Sequence, residues 1–309
     1  MSKPLSRLLR HEQHAFLARD RSAWEAHLAR IRAFLGEGLQ AADPGRPVLV
    51  LGAGSGLEVP WDQAPAATVG WDAEPWSRLR TLLRHRRWVP WIFEDATGAL
   101  TDLEATVRRA VMEPWSKRRR DPATAALRLA GLLPSLQPRP VALAAWIAVH
   151  RPGTILAANL MGQFGVLAES LVEAAFAPAS PWVADPERTD PLAEALEAWT
   201  ARTVTAFLET LAASGADLWL VHDRAVVFSG GRLALGDWED PWTRQLRAET
   251  GALEARDALA GVDVRTALVR LGLAVVGAER WLWDLAPGQR HLVEALRARP
   301  TRDQALRNP

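Results

Sequence analysis

Three glycines at alternate positions follow a short apolar run. The run extends from Val48 to Leu51, and the glycines are Gly52, Gly54 and Gly56. An apolar run of this length predicts a buried parallel strand, and the glycines predict a tight turn whose backbone passes close to a ligand. A dinucleotide fingerprint, G-x-G-x-x-G, would need glycine at position 57, where this chain has Leu57. The spacing therefore disfavours a nicotinamide dinucleotide.

Polar side chains stand where the next predicted strands end. Asp72 follows the second strand, sixteen residues after Gly56, and Asp95 follows the third. Asn159 follows the fourth strand and His222-Asp223 the fifth. Ligands of open α/β sheets bind beyond the carboxyl ends of the strands, so these side chains are candidates for a binding site. A carboxylate at position 72 suits the two hydroxyls of a ribose, because it accepts hydrogen bonds from both.

Strand and helix patterns alternate along the chain, which predicts a parallel sheet with helical crossovers. The predicted strands are one that ends at Gly52, then Ala67–Trp71, Trp88–Phe93, Gly153–Ala158 and Ala216–Val221. The predicted helices are Leu8–Leu39, Glu74–His85, Asp102–Val111, Phe164–Phe176 and Pro191–Ala213.

The C-terminal part predicts a hairpin. Arg280–Leu285 and Arg290–Leu296 have the pattern of two strands, and Pro287-Gly288 between them is a turn signal. A final hairpin adds an antiparallel strand to a sheet that is otherwise parallel.

The glycine spacing G-x-G-x-G, the acids after strands two and three and the final hairpin resemble the class I S-adenosylmethionine-dependent methyltransferases over about residues 46–297. The resemblance implies an α/β fold with a seven-stranded, mostly parallel, doubly wound sheet and a C-terminal antiparallel hairpin, plus an N-terminal helical cap. It further implies that S-adenosyl-L-methionine is the cofactor.

The resemblance also implies cofactor contacts for particular residues. The turn residues Gly52, Ala53, Gly54 and Gly56 would approach the methionine half of the cofactor, and Asp72 would bind its ribose. Asp95 would accept a hydrogen bond from the adenine amino group, with the Ala96 backbone beside the ring.

One position departs from the family pattern. Many relatives carry an acid two residues before the first motif glycine, where it helps to bind the amino group of the cofactor, and this chain has Val50 there. Glu58, on the other side of the turn, is the candidate to supply that charge.

The acceptor side of the site is predicted at strands four and five. Asn159 occupies the place where enzymes that methylate nucleic-acid amines carry Asn or Asp followed by Pro-Pro and an aromatic residue, but no Pro-Pro follows it here. Asn159 and Gln163 are still suited to orient a polar group. His222 and Asp223 are the candidate catalytic pair with Asn159, because a histidine at a cleft edge accepts a proton near neutral pH.

Composition excludes several classes of function. The formal net charge is +1, so bulk charge favours neither nucleic acid nor an anionic membrane, and the absence of cysteine excludes disulfides and thiolate metal sites. The histidines are dispersed, so no metal site is predicted. With no apolar signal segment at the start, we expect a cytoplasmic protein.

We predict an N-terminal helical cap over residues 1–44 and a methyltransferase-like domain over 45–309, with 113–140 and 177–215 as insertions or lid elements. The predicted activity is O- or N-methylation of a small molecule or peptide. Two alternatives stay open. One is a binding protein of the same fold without chemistry, which the Val50 departure favours, and the other is an NAD-dependent oxidoreductase, which Leu57 disfavours.

Overall fold

The computed structural model describes residues 21–54, 56–112, 122–176, 191–228, 254–286 and 289–301. The helices are α1 (Arg21–Gln40), α2 (Ser77–His85), α3 (Leu100–Met112), α4 (Pro122–Leu132), α5 (Val141–His150), α6 (Met161–Phe176), α7 (Pro191–Ala212) and α8 (Val264–Arg270). The strands are β1 (Val48–Leu51), β2 (Thr68–Trp71), β3 (Trp91–Ile92), β4 (Thr154–Ala158), β5 (Asp217–Phe228), β6 (Glu254–Asp257), β7 (Leu273–Ala286) and β8 (Gln289–Pro300).

One sheet joins all these strands in the order β3-β2-β1-β4-β5-β8-β7, and β6 pairs with β5 off this path. The pairs from β3 to β5 are parallel, whereas β8 runs antiparallel to both β5 and β7. The fold-class prediction is confirmed: seven of the eight strands form one path that is mostly parallel, and the C-terminal hairpin inserts a reversed strand into it. This is the arrangement that the class I methyltransferase resemblance implies.

Helices cover both faces of the sheet. Successive side chains of β1 point alternately into two hydrophobic cores, one on each face. Val48 and Val50 belong to a core under α1, and their neighbours Leu49 and Leu51 belong to a core under α7. All residues of β1 and β4 are buried, which explains why these strands read as continuous apolar runs.

The predicted insertion or lid segments contain helices in the part of the chain that the structure describes. In the 113–140 segment, Leu129 belongs to α4 and Leu133 to the turn after it, and both side chains are fully buried in a third core. In the 177–215 segment, α7 places Phe207 and Leu211 in the main core, both fully buried. The apolar face of α7 thus packs into the main core against the sheet.

Several element bounds differ from the sequence prediction. β3 has only two residues, and β5 is twice as long as predicted because its second half pairs with β6 and β8. α4, α5, β6 and α8 were not predicted. The first predicted helix is described from Arg21, and residues 1–20, the turn at 287–288 and the loop at 177–190 lie outside the described residues. None of the described helices is both long enough and apolar enough to cross a membrane.

Candidate functional site

The glycine turn lies where β1 ends, between β2 and β4. Gly52, Gly54 and Gly56 have φ angles of +67°, +48° and +70°, a backbone region that other residues rarely adopt. A Cβ atom added at Gly52 would lie 2.8 Å from Cβ of Leu160 in the chain leaving β4. The bend therefore requires glycine for both its backbone angles and its space. Ser55 is outside the described residues, and Ala53 is buried.

Asp72 connects the end of β2 to this bend. Its Oδ2 accepts a hydrogen bond of 2.7 Å from the Gly54 backbone N–H, and its Oδ1 accepts one of 2.8 Å from Glu74 N–H. Burial raises the pKa of Asp72, and these two hydrogen bonds oppose that rise. The structure thus places this carboxylate against the glycine turn.

Glu58 brings a second carboxylate to the same place. Burial raises its pKa to about 8, and the nearby charges of Asp223 and Asp72 add to the rise while Arg32 opposes it. Val50, at the position where the sequence resemblance leads one to expect an acid, is fully buried in the core under α1. Glu58 therefore provides a carboxyl group near the bend, but it follows the glycine turn in the chain and does not precede it.

Asp95 stabilises its own loop. One of its carboxylate oxygens accepts hydrogen bonds from Thr97 N–H and Thr97 Oγ1, at 2.9 and 2.7 Å, and the other accepts one of 2.8 Å from Leu100 N–H. Ala96 is buried in the core beside Trp71. The carboxylate thus caps the first turn of α3, and all three bonds lie within residues 95–100.

Asn159 and Asp223 form a polar link between the ends of β4 and β5. Asn159 Nδ2 donates to Asp223 Oδ2 at 3.2 Å, and the Asp223 backbone N–H donates to Asn159 Oδ1 at 3.1 Å. Asn159 has a positive φ of 46°, which asparagine tolerates better than most residues. A Cβ at Gly162 would lie 3.1 Å from Asp223 Cβ, so glycine allows the start of α6 to come close. Gln163, one residue further along, is half-buried.

His222 points away from Asp223. Its side chain is fully buried on the opposite side of the sheet, with Nε2 3.4 Å from Glu294 Oε2, and Arg280 donates to the other oxygen of Glu294 at 2.7 Å. Burial alone would raise the pKa of Glu294, but His222 and Arg280 hold it below its usual range. Because successive side chains of a strand point to opposite faces, His222 and Asp223 do not share one cleft.

The histidine that does face Asp223 is His291 on β8, which the sequence did not single out. Its Nδ1 lies 3.1 Å from Asp223 Oδ2. The antiparallel register places Asp223 opposite Val293 and, past a bulge, Val226 opposite His291. A bulge re-aims a strand's side chains, so only the exact pairing of β5 with β8 could have revealed this contact.

Aromatic side chains from α1 and β7 surround this pair. The ring of His27 stacks on Trp283 with 3.8 Å between centroids, Trp24 contacts Trp283 edge-on at 4.6 Å, and the ring of His291 lies 5.3 Å from that of Trp283. The Trp281 indole N–H donates to His27 Nδ1 at 3.1 Å. The first described helix is thereby fixed to the C-terminal hairpin beside Asp223.

The pKa values of His27 and Asp223 are both lowered, for different reasons. Burial lowers the pKa of His27 to about 4, although the charge of Asp223 opposes the change. Burial alone would raise the pKa of Asp223, but His291, His27 and Asn159 together hold it below its usual range. At neutral pH, His27 is therefore neutral and Asp223 is ionised.

Within the residues that the structure describes, no group of three or more His, Asp or Glu side chains is arranged to hold a metal ion. A cavity of about 500 Å³ lies behind the glycine turn, between α1 and α2, and Arg32, Glu37, Arg84 and His85 are among its lining residues. His85 Nε2 lies 2.8 Å from the Gly56 carbonyl oxygen, so α2 also supports the turn.

No protein-family model matches this chain, and no curated protein matches it. Among solved structures, it is similar to the N-methyltransferase NodS from Bradyrhizobium japonicum WM9, crystallised in complex with S-adenosyl-L-homocysteine. The sequences are 11% identical, the match covers 88% of this chain and 87% of NodS, and the TM-score is 0.36. The fold assignment therefore rests on the strand order and pairing of this chain itself.

The described geometry joins most of the predicted residues in one region. The glycine turn, Asp72 and Glu58 lie together, and Asp223 acts electrostatically on Glu58 and contacts Asn159. The region is strongly acidic and lies between β1 and β4, where the strand order of the sheet reverses. Such a switch point is where open α/β sheets bind ligands.

Proposed function

We propose that this protein is an S-adenosyl-L-methionine-dependent methyltransferase that acts on a small molecule or peptide. One observation carries the proposal: the Asp72 carboxylate is hydrogen-bonded to Gly54 inside a turn of positive-φ glycines, at the switch point of the sheet. A carboxylate next to a backbone that a ligand can approach closely would suit a ribose diol.

The chemistry of the side chains fits this cofactor. S-adenosylmethionine carries an ammonium and a sulfonium, and the carboxyl groups of Glu58, Asp72 and Asp223 lie near enough to influence one another. Burial is the main cause of the raised pKa of Glu58, and repulsion by Asp223 and Asp72 adds to it. A cation among these carboxyl groups would relieve that repulsion. When bound, the cofactor supplies an electrophilic methyl group. The protein's main tasks are therefore to hold and orient the cofactor and the acceptor, and to exclude water.

We assign the cofactor contacts as follows. The backbone of Gly52, Ala53, Gly54 and Gly56 would hold the methionine half, Glu58 its ammonium and Asp72 the ribose. Asp95 and Ala96 would meet the adenine. Because both Asp95 oxygens already bond within the loop, the adenine contact would use their remaining lone pairs.

The acceptor would meet the protein at the ends of β4 and β5. Asn159 and Asp223 are the groups that would orient it, with Gln163 nearby at the start of α6. His222 has no part in this proposal, because its imidazole is fully buried on the other side of the sheet.

Calorimetry tests the proposal on the purified full chain, with S-adenosylmethionine, S-adenosylhomocysteine and NAD as ligands. We expect about micromolar binding of the first two and none of NAD. Asp72→Asn should weaken binding of S-adenosylhomocysteine at least about tenfold, because it removes a charged hydrogen-bond acceptor worth about 1.5–3 kcal/mol. The exposed Asp62→Asn is the matched control and should leave the affinity unchanged.

Each other outcome contradicts a definite part of the proposal. Failure of both sulfur nucleosides to bind would contradict the cofactor assignment, and binding of NAD alone would indicate an oxidoreductase. Tight binding that survives Asp72→Asn would contradict the ribose role of Asp72.

A further inference from the structure

The helix α2 turns apolar side chains toward solvent and polar side chains toward the protein. Trp76, which directly precedes the helix, and Leu79 and Leu83 are between 41% and 73% exposed. Their spacing of three and four residues places them on one side of the helix. Ser77 and Thr81 lie on the opposite side and are buried. A surface helix normally turns its polar side to water, so the reversed arrangement of α2 indicates a partner for its outer side.

The chain that follows α2 extends this apolar surface. Trp88 and Phe93, which stand before and after β3 at the edge of the sheet, are also exposed. The guanidinium of Arg78 on α2 lies 4.3 Å from the centre of the Trp88 ring and 5.6 Å from that of the Phe93 ring. This contact joins the helix to both rings. We name the result the α2 surface, and its apolar members are Trp76, Leu79, Leu83, Trp88 and Phe93.

Positive charge is concentrated around the α2 surface. Residues 76–93 contain five arginines and neither aspartate nor glutamate, although the formal net charge of the whole chain is only +1. Of the two acids that flank this stretch, Glu74 is buried and lies 3.4 Å from Arg80, and Glu94 is exposed. The arginines therefore outnumber the flanking acids, and the local charge is positive. They are Arg78, Arg80, Arg84, Arg86 and Arg87.

The interface of an anionic bilayer matches this composition. Indole rings are enriched at the level of the lipid head groups, and leucine and phenylalanine side chains gain free energy when they leave water for the edge of the acyl region. Arginines attract anionic head groups, and clusters of four to eight basic residues on an amphipathic helix are typical of surfaces that bind anionic lipids. Arginine stems can lie along the apolar side chains while the guanidinium groups stay at the head groups.

Other partners match the α2 surface less well. A two-fold contact with a second copy would bring the same arginines together, which is repulsive. A nucleic acid would meet the arginines and indoles, but it would leave Leu79 and Leu83 exposed beside its phosphates. Anchor side chains in protein interfaces fill pockets on the partner and are met by pockets in return. None of the five apolar members lines the 500 Å³ cavity between α1 and α2, nor one of about 410 Å³ beside Trp91 and Trp146.

We propose that the α2 surface is a peripheral binding site for membranes that contain anionic lipids. Its apolar members enter the interfacial layer of the bilayer, and the surrounding arginines contact the lipid head groups. The inner side of α2 contacts the glycine turn through Thr81 and His85, so the helix lies between the bound membrane and that turn. The proposal does not depend on the cofactor, and its test uses none.

Cosedimentation of the purified full chain with lipid vesicles tests the apolar part of the proposal. The probes are vesicles of phosphatidylcholine alone and vesicles in which about one third of the lipid is phosphatidylserine. We expect the protein to bind the second kind and to bind the first at least about tenfold more weakly. Leu83→Ser should weaken binding at least about tenfold, because a leucine side chain is no longer transferred out of water. The matched control is Leu127→Ser, at an exposed leucine of α4, which should change nothing.

A second pair of variants tests the contribution of charge. Arg86→Gln removes one guanidinium next to the surface and should weaken binding to the phosphatidylserine vesicles about fivefold. Arg265→Gln, at an exposed arginine of α8, is the control and should leave binding unchanged. Raising the sodium chloride concentration to about 0.5 M should weaken wild-type binding strongly, since salt screens the attraction between arginines and head groups. Thermal melts establish that each variant is folded.

Several results would overturn the proposal. They are no binding to phosphatidylserine vesicles, equal binding to both kinds of vesicle, and equal binding by Leu83→Ser and Leu127→Ser. A dimer in sedimentation velocity that Leu83→Ser dissociates, without vesicle binding, would assign the surface to a second copy. Binding of poly-L-glutamate or of a single-stranded thymidine oligomer that depends on Leu83 and Arg86, again without vesicle binding, would assign it to an acidic protein or to a nucleic acid.

Discussion

At the scale of single residues, Glu58 is a carboxylic acid on which two other acidic side chains, Asp72 and Asp223, act electrostatically. Burial is the main cause of its raised pKa, Asp223 and Asp72 add to the rise, and Arg32 opposes it. A group protonated in the folded protein at neutral pH, but ionised when unfolded, makes stability depend on pH. The same proton makes cation binding at this place depend on pH, since a bound ammonium favours the ionised carboxylate.

The stability of the protein should therefore fall between pH 6.5 and pH 8. In this window Glu58 keeps its proton in the folded state, with a pKa of about 8, and has lost it in the unfolded state, with a pKa near 4.5. Raising the pH thus favours unfolding. Glu58→Gln should flatten the slope and raise the melting temperature at pH 8 by a few degrees, at about 2–4 °C per kcal/mol. Thermal melts at both pH values check this, and an unchanged slope would contradict the raised pKa.

At the scale of elements, the turn after β1 determines whether a site exists. Gly52 and Gly56 combine a positive φ with neighbours that leave no room for a Cβ, since an added Cβ would lie 2.8 Å from Leu160 Cβ and 2.6 Å from Thr81 Oγ1, respectively. The backbone can then expose its N–H groups next to Asp72. The helix α2 supports this turn through Thr81 and His85, so strand, turn and helix act as one unit.

Gly52→Ala should damage both stability and binding. The added methyl would clash with Leu160 and strain the backbone, which we expect to cost about 1–3 kcal/mol and to weaken S-adenosylhomocysteine binding more than tenfold. The matched control is Gly131→Ala in α4, where a Cβ meets nothing within 4 Å and helix propensity should stabilise the protein by about 0.5–1 kcal/mol. Urea unfolding and calorimetry measure the two effects. Equal behaviour of the two variants would contradict the special role of the turn.

At the scale of the whole molecule, the first described helix and the last hairpin form one structure. The hydrogen bond from Trp281 to His27 joins residues 254 positions apart, and the stacked His27 and Trp283 rings extend the contact. The packing beside Asp223 is therefore built from segments that lie far apart in the chain. It depends on long-range contacts and on a histidine that stays neutral.

Lowering the pH should destabilise the contact of His27 with Trp281 and Trp283, because it protonates His27. Its pKa is about 4 in the folded protein and about 6.5 when unfolded, so the unfolded state binds more protons between these values and stability falls as the pH drops from 6.5 to 4. His27→Asn, which retains an acceptor for Trp281, should remove up to about 1.4 kcal/mol per pH unit of this slope. Urea unfolding at pH 5 and pH 7 checks the change, with His150→Asn as the control. Glu58 contributes the opposite slope below pH 6.5, so the comparison is between variants and not between absolute curves.

Much of the fold could be predicted because it depends on local patterns. Buried parallel strands are continuous apolar runs, and β1 and β4 were recognised on that basis with their following glycines and asparagine. Pro287-Gly288 between two alternating segments indicated the hairpin. The elements that were missed have weaker local signals: α4 lies within the proline-containing segment 113–140, α5 directly follows it, and α8 is only seven residues long.

The sequence by itself determined the glycine turn, the acids that follow β2 and β3 and the succession of most strands along the chain, because each depends on residues near one another in the chain. Only the tertiary structure decided which side chains meet. Strand alternation turned His222 away from Asp223, a bulge and the antiparallel register brought His291 to it, and α1 placed His27 on Trp283. Such contacts depend on pairings between distant segments, and no local spacing encodes those.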